Sequence, residues 1–391
     1  MKPLAQAMTR LGTEKAFAVS HLANELLRTG QLDDVVSLAV GEPDFDTSLH
    51  IRQASMKALE NGDTHYSPTI GRRDTREIVA DYVNKGRGIN VDPDDIIITP
   101  GGKPVMAFAI QAIVDPGDEV ILTNPGYPIY ESMVDYLGAK KVWVNLEEEN
   151  DFVLDVADLE AAITDKTKLL VLNSPQNPTG GLIDKKTMDK IVELVLKHDL
   201  YVLTDEIYWR IIYEGEFVSP ISYPGMLERT ILLDGWSKTY AMTGWRLGYA
   251  VVANPDIRHY FDYLMTNYVS NTCMFAQVGA MAALTGPQDD VDMMVKEFKA
   301  RRDLIHEEIN KIDGVSARLP KGAFYIMMNI KNFGIPAEEF GERMLREAGI
   351  AGTAGTYFGS NGEGFVRFSY AASQEKIKEG MTRVEKFVKS L

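Results

Sequence analysis

A single cysteine, Cys273, in 391 residues leaves no internal disulfide to form. The fold must therefore rest on its core, and a reducing compartment suits it. Histidines are also few, six in all. They are scattered, and no Cys/His cluster has metal-ligand spacing. Positive charge is in deficit: 41 Lys and Arg against 56 Asp and Glu give a formal net charge of −15. That argues against a nucleic-acid or anionic-membrane surface, since both need excess cations. It does not exclude a small anion, for which one local cluster of donors is enough. No apolar run reaches membrane-spanning length. The opening MKPLAQAMTRLGTEKAF has no apolar core of the signal-peptide kind, and a cytoplasmic protein is expected. No G-x-G-x-x-G follows a strand-like run, so a nicotinamide dehydrogenase lacks its required feature.

What remains is a soluble composition, 45% hydrophobic and 25% charged. At roughly 150 residues per domain, the length suggests two or three domains. The middle of the chain alternates short β-rich runs with longer amphipathic ones. DDIIIT (94–99), DEVILT (118–123), KLLVLN (168–173), LYVLTDE (200–206), TILLDG (230–235) and RLGYAVV (246–252) read as strands. A helix starts near Pro104, and another carries Ile191, Leu194 and Val195. This predicts an α/β domain with a mostly parallel sheet covered by helices. After about residue 290 the character changes. A charged helix at 289–311, strands at 322–330 and 364–370 and a closing helix predict a smaller α+β domain. A helix near Phe17 to Arg28 belongs to an N-terminal stretch whose partner the pattern does not reveal.

Ligands of α/β sheets sit at the carboxyl ends of strands, so the polar residues just after the apolar runs are the candidates. Gly101 and Gly102 follow the first run, with Lys103 and Pro104 opening a helix whose free N–H groups suit a phosphate. A plain strand-to-helix turn would look the same. Asn177 lies in NSPQNPTG, where two X-Pro bonds stiffen the loop and either can be cis. Asp205 ends its strand with Tyr208 three residues on. It would pair with a cationic ring nitrogen at a gain of about 4 kcal/mol for about 4 Å and an effective dielectric near 20, or simply cap the next turn. Lys238 sits in a Ser/Thr-flanked loop, eight residues before Arg246, in a segment poor in charge. A neighbouring cation would lower its basicity and make it a better nucleophile towards an aldehyde. Ser237 and Arg246 suit a phosphate. Arg367 lies inside the apolar run GFVRFSY and needs either a buried anion or a route to water.

Taken together, the strings AVGEPDFDT, HYSPTIG, PGGKP, NPGYPIYE, NSPQNPTGG, TDEIY, SKTYAMTGWRLGY, PKGAFY and VRFSYA resemble the class I aminotransferases among the fold type I pyridoxal-phosphate enzymes. The likeness spans nearly the whole chain and looks closest to the aspartate-aminotransferase-like branch. It implies pyridoxal 5'-phosphate as cofactor, carried by Lys238, which then shuttles a proton. It implies that Asp205 pairs with the ring nitrogen and that Asn177 and Tyr208 bond the ring O3'. Tyr127 would stack on the ring. Gly101, Gly102, Ser237, Arg246 and the Lys103 backbone would hold the phosphate. Arg367, with Asn177 and the Gly41 backbone, would bind the substrate α-carboxylate. Tyr66 would reach the phosphate of a neighbouring subunit, implying a homodimer. Partners are then amino acids and 2-oxo acids. The implied division is 1–45 packing with the small domain, 46–288 binding the cofactor, and 289–391 as the small domain.

Two stretches depart from the family pattern. Arg72-Arg73-Asp74-Thr75-Arg76 is unusually basic and reads as a solvated helix start or an altered substrate or interface contact. Gly352-Thr353-Ala354-Gly355-Thr356 replaces a VPG-like string. Lys103 is the candidate cation for the distal carboxylate of an acidic substrate, while Tyr127, Tyr130 and Trp209 allow an aromatic or broad range. A lyase or synthase on the same fold, such as a carbon–sulfur β-lyase, is the alternative activity.

Overall fold

In a computed structural model describing residues 2–391, a seven-stranded sheet fills the middle of the chain. Its strands are β1 (Ile96–Thr99), β2 (Glu119–Asn124), β3 (Lys140–Asn145), β4 (Thr167–Asn173), β5 (Tyr201–Asp205), β6 (Thr230–Gly235) and β7 (Gly248–Val252). Their spatial order is β1-β7-β6-β5-β4-β2-β3. Only β7 runs against the rest, being antiparallel to both β1 and β6. The strands read as unbroken apolar runs because both faces are covered. In β1, Ile97 packs into one cluster and its neighbours Ile96 and Ile98 into another, as the two-residue period of a strand requires. The helix Lys103–Ile113 covers one face with Val105, Phe108 and Ile110. The helix Lys185–Lys197 covers the other with Met188, Ile191 and Val195.

A second sheet is antiparallel: β8 (Ser316–Ala317), β9 (Tyr325–Asn329), β10 (Thr353–Ala354) and β11 (Phe365–Ser369), in the order β10-β11-β9-β8. The helices Asp289–Asn310 and Gln374–Val388 bury Phe298, Ile305, Met381 and Val384 in the same cluster as Phe324 and Phe368. The N-terminal segment joins this part of the molecule through Val36–Ser37, which pairs in parallel with Ile350–Ala351.

Three differences from the sequence reading have physical causes. β3 was not anticipated. It is an edge strand beginning Lys140-Lys141, and solvated lysines blunt such edges while erasing the apolar pattern. Asp94 and Asp95 belong to a 3-10 turn, Pro93–Asp95, capped by Asp92, and so precede β1 rather than starting it. Arg246 lies outside β7 in a left-handed conformation, φ 56°. The basic stretch at 72–76 opens the helix Arg73–Arg87, and its charges are taken locally: Arg72 by Asp74, Arg73 by Glu77 and Asp94, Arg76 by Asp94. The stretch does open a helix, but only its first part is solvated, since Thr75 and Arg76 are buried.

The far end of that helix carries a buried charge cluster. Arg87 Nε donates to Glu206 at 3.0 Å and its Nη2 to Asp234 at 2.8 Å, with the guanidinium 4.2 Å from the centre of the Trp209 ring. Tyr249 and Ser219 donate to the two carboxylates. Removing the cation strands two buried acids, a loss of about 3–5 kcal/mol for such a pair. Arg87→Met is expected to lower the urea midpoint by the equivalent of that loss. A change below about 1 kcal/mol, the range of an exposed pair, would show that the cluster is hydrated and not closed.

Candidate active site

The strand directions decide where the chemistry goes. β1, β2, β4, β5 and β6 all end at one edge of the sheet, and β7, running the other way, begins there: Gly248 lies opposite both Thr99 and Gly235. The loops after β1, β4 and β5 and the single connection from β6 to β7 therefore meet. Of the residues expected to hold cofactor or substrate, all but Gly101 and Tyr66 line one cavity of about 390 Å³ at this edge, whereas Tyr130 and Trp209 lie outside its lining.

Gly101 stands directly behind it. Its φ is 85°, the left-handed region that favours glycine, and a Cβ there would lie 2.4 Å from Arg246 Nη2, so a side chain would push the guanidinium out of place. The helix Lys103–Ile113 begins immediately after, with Pro104 in its first turn. Its N-terminal N–H groups, the Arg246 guanidinium and the Ser237 hydroxyl form a donor set for an anion.

Asp205 ends β5 and is buried. One carboxylate oxygen accepts from the backbone N–H of Ile207 at 3.1 Å, the other from the Tyr130 hydroxyl. The turn-capping role considered from the sequence is thus met by one oxygen only. Burial pushes its carboxyl up to about 6, Tyr130 and the Ile207 N–H pull it down, and Asp234 and Glu206 push it up. A buried acid raised in this way is stabilised in its charged form by a facing cation.

Asn173 staples the loop that follows β4. Its amide donates to the Asp205 carbonyl at 3.1 Å, and its oxygen accepts from the Asn177 backbone N–H at 2.9 Å. The bonds Ser174-Pro175 and Asn177-Pro178 are both cis. Asn177, held this way, accepts from Arg367 Nη1 at 2.8 Å.

Arg367 is not at a sheet edge. β11 lies between β10 and β9, and the side chain is 3% exposed. The guanidinium lies between the rings of Tyr325 and Phe358, 4.5 and 4.4 Å from their centres. Nη2 donates to the Ala39 carbonyl at 2.6 Å, while Nε is buried without a partner. Among the described residues no acid forms an ion pair with it. A buried cation lacking a counter-charge carries a desolvation cost that an incoming anion would relieve.

Lys238 Nζ donates to the Gly41 carbonyl at 2.6 Å. Burial brings its amine down to about 8; Glu42 and Glu14 raise it, and Arg246 and Arg367 lower it further. A lysine so placed gives up its proton near pH 8 and not above about pH 10, so near neutral pH far more of it is the free amine needed for attack on a carbonyl. Tyr208 and Tyr325 share a hydrogen bond of 2.8 Å between hydroxyls. A Cβ at Gly41 would fall on the Tyr325 hydroxyl, which explains a glycine at that point.

Lys103 and Tyr127 both meet a residue the sequence reading passed over. Glu14 Oε2 accepts from Lys103 Nζ at 2.9 Å and from the Tyr127 hydroxyl at 3.0 Å. From the sequence Tyr130 stands only among the aromatics that allow an aromatic or broad range, Tyr325 only within a family string, and Phe358 carries no signal. Their positions near the cavity come from tertiary pairing, for which a sequence carries no local signal. Tyr66 is 88% exposed and does not line this cavity.

Residues 33–384 match the family described as aminotransferase class I and II. The chain is 41% identical over 364 residues to an aspartate aminotransferase of Pyrococcus abyssi, covering 92% of each chain. It is 40% identical over 364 residues to aromatic-amino-acid aminotransferase 2 of Thermococcus litoralis, again covering 92% of each. The solved aspartate aminotransferase from Thermus thermophilus with maleate superposes with a TM-score of 0.94 at 36% identity, over 99% of this chain and 100% of that one.

The lowered basicity of Lys238 has a direct readout. Labelling of the cofactor-free protein with an amine-selective acylating reagent, followed by mass spectrometry, should be half-maximal at Lys238 near pH 8. An ordinary lysine reaches that point only above about pH 10. A Lys238 profile like that of the surface lysines would refute the electrostatic picture.

Proposed function

The chain belongs to the class I and II aminotransferases, and on that premise we propose that its cavity holds pyridoxal 5'-phosphate through Lys238 and takes the α-carboxylate of an L-amino acid on Arg367. The enzyme moves an amino group between an amino acid and a 2-oxo acid. The observation that carries the site assignment is the pairing, across one cavity, of a weakly basic buried amine with a buried guanidinium that has no acid of its own.

The residues present fit that cofactor. A left-handed glycine turn set against Arg246, a helix N-terminus and Ser237 suit its phosphate. The raised carboxyl of Asp205 suits the ring nitrogen and would hold a proton there. Asn177 and Tyr208 are assigned to the ring oxygen and Tyr127 to the ring face. When bound, the cofactor supplies an electron sink for the charge left on the substrate Cα. Lys238 would hold it covalently and, once displaced by the substrate amine, move the proton at that Cα. Arg367 and Asn177 would hold the carboxylate in the same cavity as Lys238 and so orient the substrate towards it. Both half-reactions use the same groups: one 2-oxo acid leaves before the second enters.

We further assign residues 46–288 to the cofactor-binding domain and 289–391 to the small domain, with 1–45 packing beside the latter. Pairing of Val36–Ser37 with Ile350–Ala351 supports that last placement. Tyr66, exposed and away from its own cavity, is assigned to the phosphate site of a second copy in a homodimer.

Purified protein incubated with pyridoxal phosphate should show a visible absorption band that bleaches with an amino donor and returns with a 2-oxo acid. No band, or release of ammonia in place of a retained amine, would overturn the assignment. Arg367→Gln removes one charged, two-pronged contact and should lower kcat/KM for every α-amino acid by roughly ten- to hundredfold. A simple amine lacking the carboxylate should show no such loss. Equal losses for both would mean that Arg367 acts on the fold and not on the carboxylate.

A further inference from the structure

We infer that Glu14 sets the side-chain preference of this site by neutralising Lys103, leaving the far end of the cavity suited to uncharged, apolar or aromatic side chains and not to a second carboxylate. The inference rests on the site assignment above. Of the cations that line the cavity, Lys238 and Arg246 serve the cofactor and Arg367 the α-carboxylate, so Lys103 is the one left for a distal carboxylate. Glu14 already occupies it. The same carboxylate oxygen accepts from Lys103 Nζ at 2.9 Å and from the Tyr127 hydroxyl at 3.0 Å. Glu14 is 18% exposed while Lys103 is 48% exposed, so the acid is the inner member of the pair.

Glu14 is held in place by its own segment. Arg10 donates to the Asp135 and Tyr136 carbonyls at 2.9 and 3.0 Å, at the end of the helix Pro128–Leu137. Ser132 of that helix donates to the Gly12 carbonyl at 3.1 Å. On the other side Lys15 lies 3.7 Å from Glu338. A substrate with a distal carboxylate must either displace Glu14 from these contacts or sit beside it as a like charge. A cationic side chain meets Lys103 in the same way. Ala16, Phe17, Val40 and Met106 provide apolar wall at the same mouth.

The test compares donors of equal shape and different charge. Single-turnover 2-oxo acid formation by the wild-type holoenzyme should favour asparagine over aspartate and glutamine over glutamate by roughly tenfold or more, the scale of a like-charge clash. Glu14→Gln keeps the shape and an acceptor for Lys103 but drops the charge. In that variant the aspartate-to-asparagine ratio should rise at least roughly tenfold, and maleate, a dicarboxylate that is not turned over, should bind at least roughly tenfold more tightly by calorimetry. Adding Lys103→Met to Glu14→Gln should abolish both gains, because the cation they expose is gone. A wild-type preference for aspartate over asparagine, or a ratio and a maleate affinity unmoved in Glu14→Gln, would overturn the inference while leaving the aminotransferase site assignment intact. Turnover of no donor at all would overturn both.

Discussion

Six strands of the large sheet point the same way, and the seventh begins where the others finish. A parallel strand pair cannot be closed by a tight hairpin, so each connection crosses over through a longer segment, and every carboxyl end opens at one edge. Gly101, Asn177, Asp205 and Lys238 come from four different loops spread over more than a hundred residues of chain. They meet because the sheet gives their loops a single place to emerge. The reversal of β7 brings Arg246 to the same edge, without which the donor set there would lack its guanidinium. Arg367 arrives from the second sheet and completes the far side of the cavity.

Two of the buried guanidinium groups, those of Arg87 and Arg367, are held in different ways, and the difference separates structure from function. Arg87 is closed by Glu206 and Asp234 and stacked on Trp209. Its charge is spent inside the protein. Arg367 is equally deep, and among the described residues each guanidinium has one nitrogen without a partner, yet Arg367 lies between Tyr325 and Phe358 with only carbonyl and amide oxygens bonded to it and no acid beside it. Hydrogen bonds to neutral acceptors soften the cost of burying it but do not cancel the charge. The first arrangement holds the fold together. The second holds a place open for an anion.

The cavity edge of the large sheet shows the same economy among weaker groups. Asp205 divides its two oxygens between a turn and Tyr130, and Asn173 ties the Asp205 backbone to that of Asn177. Neighbouring loops are thereby bonded to one another, so residues that must act on one small molecule do not move independently. The N-terminal segment is bonded to the same assembly from outside, through Gly12, Glu14 and Lys15. It forms part of the wall that a substrate meets first.

Much of this was legible in the chain before any coordinates. Apolar runs of strand length, each followed by glycine, asparagine, aspartate or lysine, announce an α/β sheet with its chemistry at the strand ends, because local burial and local turn chemistry are written in consecutive residues. The motif strings carried the family and hence the cofactor. Other features had no local signature. β3 was hidden by the lysines that protect an edge. Whether Arg367 faced water or the interior depended on its strand having a neighbour on each side, and β10 is only two residues long. Glu14 could be placed against Lys103 only once a segment 89 residues away in sequence was seen to fold across the cavity. The sequence by itself determined which residue types stand at the ends of which strands. The tertiary structure alone decided which charges are answered by the protein and which are left for a ligand, because that balance depends on distances between segments that no stretch of sequence encodes.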